Sequence, residues 1–254
     1  MSPPLAAEPQ WVLILGATSG IARGISHSLA RRGFHLILAG RDEGELSRVC
    51  HDLEIRYGIR TSGLRFDALD TASHAEVVRE AARMSADRLT GIVVAFGVLG
   101  DQERAVRDFD HAREILEANF IGAVSVLTHG ANYLESRRGG FIVAISSVAG
   151  DRGRRSNYTY GAAKAGLTVW MQGLRNRLHE SGVHVLAVKP GFVDTRMLYG
   201  KPGLFLVADP GRVGERIVRA VERRKQVVYV PGFWRLIMWA IRLIPESLFR
   251  RLKL

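Results

Sequence analysis

Cysteine is nearly missing from the 254-residue chain, and the single Cys50 excludes both an internal disulfide and a thiolate zinc site. A reducing compartment suits that usage. The 8 histidines show no ligand spacing, and His27 and His35 fall in different expected elements, so no metal site is expected. No apolar run approaches the roughly 20 residues that a membrane span needs. No internal repeat or linker-like stretch interrupts the chain, which argues for one large domain. The formal charge is +11, yet no aromatic-interleaved basic module or zinc-finger spacing accompanies it, so nucleic acid is not an expected partner. The opening Met1–Gln10 lacks a basic region followed by an apolar core. Residues 1–10 therefore read as a flexible arm, and a cytoplasmic location is expected. What is present is ordinary for a folded protein: 47% apolar and 24% charged residues in 28.1 kDa.

Trp11–Leu15 is a short apolar run, and Gly16-Ala17-Thr18-Ser19-Gly20-Ile21-Ala22 follows it into a helix reaching about Arg32. A strand, a glycine-rich turn and a helix start make a phosphate cradle, because unpaired amides and the positive end of the helix dipole face outward there. In outline this is a dinucleotide site. A second strand, Phe34–Ala39, ends in Gly40-Arg41-Asp42. At that strand end a carboxylate would bind the adenosine 2′-hydroxyl, whereas an arginine accommodates a 2′-phosphate. Arg41 thus leans towards NADPH, with NADH left open. The plainer alternative is that Arg41 pairs with Asp42 or Glu45.

Glu43–Tyr57 has the pattern of an amphipathic helix, Thr61–Phe66 that of a strand ending in Asp67-Ala68-Leu69-Asp70, and Thr71–Ala86 that of another helix. Gly91–Val94 forms a fourth strand, with Ala95-Phe96-Gly97 as its turn. Arg107 to about Arg138 reads as one long helical stretch containing Asn119, whose amide either joins a hydrogen-bond relay or is merely tolerated. Val183–Val188 is a strand continuing into Lys189-Pro190-Gly191-Phe192-Val193-Asp194-Thr195, and Thr195 is placed to bond a nicotinamide amide. Pro210–Lys225 is helical and Val227–Val230 a last strand. Strands and helices alternating in this way predict an α/β fold: a doubly wound parallel sheet of about seven strands, of Rossmann type, spanning 11–231.

Phe141–Ile145 reads as a buried strand, which puts Ser146 and Ser147 at a strand end, and the helix expected from Asn157 to Glu180 carries Tyr160 and Lys164 four residues apart on one face. An ammonium beside a phenol favours the phenolate, so Tyr160 is a candidate proton donor. Ser147 would hydrogen-bond the same substrate oxygen, as reduction of a carbonyl by hydride requires. The alternative is an ordinary exposed helical pair.

Taken together these residues resemble the short-chain dehydrogenase/reductase family over about Trp11–Thr195. Ser147 precedes Tyr160 by thirteen residues, the family's usual interval. The resemblance implies a catalytic tetrad of Asn119, Ser147, Tyr160 and Lys164. Tyr160 is then the acid, Lys164 lowers its pKa and holds the nicotinamide ribose, Ser147 polarises the carbonyl, and Asn119 positions a relay water. It further implies that Gly16, Thr18, Ser19, Gly20, Ile21, Arg41, Asp67, Ala68, Ala95, Phe96, Gly97, Tyr160, Lys164, Pro190, Gly191, Val193 and Thr195 surround NADP(H) or NAD(H). Three departures stand out. Leu15 replaces a threonine, Ala22 replaces the third glycine, and Val94-Ala95-Phe96-Gly97 replaces Asn-Asn-Ala-Gly, placing an aromatic ring near the cofactor.

Four further segments are similar to the decaprenylphosphoryl-2-keto-ribose reductases: Phe66–His74, Val94–Asp101, Gly150–Tyr158 and Ile244–Arg251. That narrower resemblance implies a keto-sugar on a polyprenyl phosphate as substrate, a role in cell-wall arabinan, and a flavin oxidase as partner. The ending fits such a substrate. Phe233–Ile244 is apolar except for Arg235 and Arg242, which lie seven apart on one helical face, and it carries Trp234 and Trp239. Between Arg212 and Leu254 eleven basic side chains face three acidic ones, so this tail holds +8 of the chain's +11. Residues 232–254 are expected to form an amphipathic helix that either rests on the inner face of the cell membrane or packs on a second copy in a homo-oligomer.

Overall fold

The computed structural model describes residues 10–200 and 206–252. The expected N-terminal arm, apart from Gln10, and Lys253 of the charged tail lie outside them. Seven parallel strands form one sheet in the order β3-β2-β1-β4-β5-β6-β7: β1 Trp11–Leu15, β2 His35–Gly40, β3 Thr61–Arg65, β4 Leu89–Val94, β5 Phe141–Ile145, β6 His184–Pro190 and β7 Val227–Val230. The doubly wound sheet expected from the alternating pattern is therefore present. Every residue of β1, β5 and β6 is buried, as a parallel sheet covered on both faces requires.

Helices α1 (Gly20–Ala30), α2 (Glu43–Tyr57) and α3 (His74–Met84) follow the first three strands. The α2 bounds match their expectation because both signals are local: the Asp42 carboxylate accepts from the Glu45 amide at 2.9 Å, and Gly58 stops the helix at φ +64°. After β4 come α4 (Gln102–Ala105), α5 (Phe109–Leu116) and α6 (Gly122–Ser136), then α7 (Tyr158–Arg177) after β5 and α8 (Pro210–Glu222) after β6. Helices α1 and α8 cross closely enough that a side chain on Gly24 or Gly214 would strike the other backbone.

Two expectations need correction. The stretch expected as one helix from Arg107 to Arg138 begins at Phe109 and carries a π-helical turn, Glu117–Ile121, between α5 and α6. Such turns rotate the following side chains, and this one contains Asn119. The ending is not one amphipathic helix either. Pro245 divides it into α9 (Trp234–Leu243) and α10 (Glu246–Phe249). Trp234 points inward at 2% exposure, packed with Val148, Met238 and Phe192, while Trp239 is 64% exposed. Gly191 makes room for the indole, since a Cβ there would fall on it. Among the described residues no helix is long and apolar enough to cross a membrane.

Candidate active site

In a doubly wound sheet the ligand crevice opens beyond the C-terminal strand ends, where the strand order reverses between β1 and β4. Here the turn after β1 and the turn after β4 touch. Gly16 has φ +80°, and a Cβ on it would come within 2.7 Å of the Phe96 Cβ. The Ser19 hydroxyl donates to the Ala95 carbonyl at 3.1 Å and also caps α1 by accepting from the Ala22 amide. No acidic side chain stands in the first turn of α1, so its unpaired amides keep their pull on anions. Thr195 reaches the same corner, with its methyl 2.8 Å from where a Gly20 Cβ would stand. Val193 is buried and bridges to Ala208, and the Gly191 amide donates to the Val230 carbonyl, fixing this segment after β6.

Arg41 is exposed at the end of β2. Neither pairing considered from sequence occurs among the described residues: Glu45 is taken by Arg23 and Arg48, and the Asp42 carboxylate caps α2. Phe66 and Phe96 pack at 5.1 Å between centroids, filling the side of the crevice that the sequence assigns an aromatic ring. Asp67 accepts from the Leu69 amide at 3.0 Å, and buried His74 contacts the Asp67 carbonyl at 2.9 Å. Ala68 lies against the π-helical turn: a Cβ on Gly122 would strike the Ala68 carbonyl.

The second corner is built where β5 meets α7. A short 3₁₀ turn, Val148–Gly150, packs against α7 through two glycines, Gly150 and Gly161, each too close to opposing backbone for a side chain. Buried Ser146 bonds the Lys164 carbonyl at 2.9 Å and the Thr168 hydroxyl at 2.7 Å. These contacts set the register that brings the Ser147 hydroxyl close enough to Tyr160 to act on its phenol. The Lys164 Nζ donates to the Ile145 carbonyl at 3.0 Å and lies 5.6 Å from the Tyr160 ring centre. Asn119 donates to the Val98 and Ile115 carbonyls at 2.7 and 2.8 Å, leaving its buried Oδ1 without a partner. That oxygen faces Gly97, where a Cβ would also lie 3.2 Å from the Lys164 Nζ. The structure thus brings Asn119, Ser147, Tyr160 and Lys164 to one place.

Burial dominates the electrostatics. It pushes Tyr160 up to about 12, against the opposing pull of the Ser147 hydrogen bond and the Arg154 charge, and it brings Lys164 down to about 8. Arg154 thus adds a positive charge that acts on the phenol, a role that its place in the sequence did not announce. Also unforeseen were Ser146 and Thr168, which orient α7, and a buried ion pair between Lys189 at the end of β6 and Asp151, whose carboxylate also accepts the Tyr229 hydroxyl at 2.7 Å. Their only sequence signal was position: a lysine at a strand end and an acid inside the Ser147–Tyr160 loop.

The short chain dehydrogenase model matches residues 10–201. The chain belongs to the short-chain dehydrogenase family and is an oxidoreductase. It is 38% identical to an uncharacterized oxidoreductase of Mycobacterium tuberculosis, covering 95% of this chain and 96% of the relative. A 3-oxoacyl-[acyl-carrier-protein] reductase of Aquifex aeolicus is 29% identical over 73% of this chain and 74% of its own length. Among solved structures, a short-chain dehydrogenase from Sphingobium yanoikuyae in complex with NADPH superposes with a TM-score of 0.79 at 25% identity, covering 94% of this chain and 97% of that one.

Proposed function

We propose that the chain is an NAD(P)H-dependent ketone reductase whose substrate is a keto-sugar borne on a polyprenyl phosphate, reduced at its 2-keto group to the arabinose form used in envelope polysaccharide. The observation that carries the reductase reading is the meeting of Ser147, Tyr160, Lys164 and Asn119 at the open end of the sheet. A nicotinamide dinucleotide, when bound, supplies the hydride. The residues fit such a group: the glycine corner of Gly16, Thr18, Ser19, Gly20 and Ile21 would receive its phosphates, and Asp67 and Ala68 its adenine. Ala95, Phe96, Gly97, Pro190, Gly191, Val193 and Thr195 would line its path. Unpaired Arg41 favours a 2′-phosphate and hence NADPH.

Tyr160, kept protonated at neutral pH by its burial, holds the proton that the ketone oxygen needs. Ser147 donates to or orients the same oxygen, and Lys164 and the unpartnered Asn119 Oδ1 lie behind the phenol as a route for returning that proton. The lipid-linked part of the reading is supported by the narrower sequence resemblance and by α9, which leaves Leu236, Trp239 and Leu243 exposed beside Arg235 and Arg242. On this reading α9 rests on the inner face of the membrane, and a flavin oxidase supplies the keto-sugar. A second copy of the chain is the competing occupant of α9.

The Aquifex relative favours a second reading, an acyl-chain ketone as substrate. Rapid-mixing oxidation of NADPH and NADH against keto-sugars with and without a prenyl phosphate, beside a 3-oxoacyl thioester, separates the two. Turnover that requires the prenyl phosphate is expected; equal turnover of the bare sugar, or preference for the thioester, overturns the lipid-linked reading.

A further inference from the structure

The loop between Ser147 and Tyr160 carries four charged side chains, and three of them are accounted for. Asp151 is buried against Lys189 and Tyr229. Arg152 pairs with Glu246 at 2.6 Å, donates to the Ile244 carbonyl at 3.2 Å and lies over the Phe249 ring at 4.3 Å, which ties α10 to the loop. Arg155 is exposed to water. Arg154 alone is half-buried with no side-chain ion pair or hydrogen bond among the described residues, and its Nε is sealed from solvent without an acceptor.

Two more sealed, unpartnered polar atoms stand nearby, Gln102 Nε2 and Asn157 Oδ1. They are linked to Arg154 through the start of α7: the Asn157 amide donates to the Arg154 carbonyl at 3.1 Å, and the Thr159 amide to Gln102 Oε1 at 2.9 Å. No acidic side chain stands in the first turn of α7. A guanidinium partly withdrawn from water without a counter-charge carries a desolvation cost, and an anion bound at its open side offsets that cost. The Arg154 charge acts on the Tyr160 hydroxyl, so an anion held there would lie near the proton donor.

We propose that Arg154 binds an anionic group of the substrate, a phosphate or a carboxylate, beside Tyr160. This rests on the reductase reading and narrows its substrate to ketones carrying a negative charge. Gln102 Nε2 offers a second donor to the same group, and Asn157 Oδ1 an acceptor for a neighbouring hydroxyl.

Two matched pairs test it with NADPH as reductant: ribulose 5-phosphate against ribulose, and acetoacetate against ethyl acetoacetate. In R154Q, kcat/KM for a charged member is expected to fall about ten- to a hundredfold further than for its neutral twin, with R154K recovering part of the difference. The pair that shows the larger split tells phosphate from carboxylate. Equal losses on both members of each pair overturn the proposal and leave Arg154 as a group acting only through Tyr160 or the fold. A readout without turnover is the Tm of the NADPH-loaded protein with inorganic phosphate, farnesyl phosphate or acetate added. At least one is expected to raise Tm in the wild type and not in R154Q, and no rise with any of them counts against the site. Farnesyl phosphate acting where inorganic phosphate does not marks a lipid-borne anion. A wild type that reduces no ketone but is stabilised by an anion through Arg154 keeps the anion site and removes the reductase reading.

Discussion

Where β5 meets α7, Ser146, Lys164 and Thr168 are buried and answer one another's hydrogen bonds, whereas α9 leaves Leu236 71% and Trp239 64% exposed. The first region fixes the register of Tyr160 through buried hydrogen bonds. The second leaves apolar surface uncovered. On the proposed reading the two regions divide a reductase's needs: chemistry at the sheet-end corners, and choice of substrate at the loop 151–155 and the α9–α10 pair, which Arg152 and Glu246 join. The energetic logic differs accordingly. Polar groups sealed in the first region are expensive to disturb, while exposed apolar groups in the second are cheap to replace unless they serve a partner.

The sharpest way to break the comparison is Lys164→Met, which keeps the volume and removes the charge. Reductase activity is expected to fall about a thousandfold, in the range for loss of a proton-transfer group. Burial holds the folded Lys164 near 8, below its ordinary value of 10.5, so the unfolded chain binds the extra proton between those two values. Stability from this group is therefore full above the unfolded value and lost as pH falls through the folded one. Denaturant unfolding from pH 8 to 10.5 should show a rise in the wild type that is absent in Lys164→Met; parallel curves would contradict the burial of the amine.

Trp234→Ala should lower stability by about 3–5 kcal/mol, the cost of emptying a buried indole site, measured by urea unfolding. Arg41→Ala comes next: a rise of about tenfold in KM for NADPH with little change for NADH is expected if the unpaired guanidinium meets a 2′-phosphate. The smallest effect on the fold belongs to Trp239→Ser, within about 0.5 kcal/mol. Yet the same change should release the protein from anionic vesicles in co-sedimentation. Unchanged sedimentation with a shift in oligomeric mass would instead give α9 to a second copy.

Much of this was readable beforehand because the signals are local. β1 and β5 are continuous apolar runs, α2 is bracketed by Asp42 and Gly58, and Tyr160 and Lys164 meet by helical spacing. What escaped depends on distant partners. The π-helical turn around Asn119 lies where Gly122 meets the Ala68 carbonyl, a contact that no window of sequence contains. Trp234 and Trp239 lie about 140° apart around α9, and the space above Gly191, set by distant packing, receives the first while the second stays exposed. Arg154 resembles its neighbours Arg152 and Arg155 until Glu246, 94 residues on, is found to take the first and solvent the second.

The proposed chemistry stands on Tyr160 as proton donor. Single-turnover mixing of the NADPH-loaded chain with a ketone tests it most directly, with Tyr160→Phe run beside the wild type and cofactor binding measured separately. The account predicts that Tyr160→Phe binds NADPH as the wild type does and transfers hydride at least a hundredfold more slowly, about the least that loss of a general acid costs. Hydride transfer at the wild-type rate in that variant would contradict it.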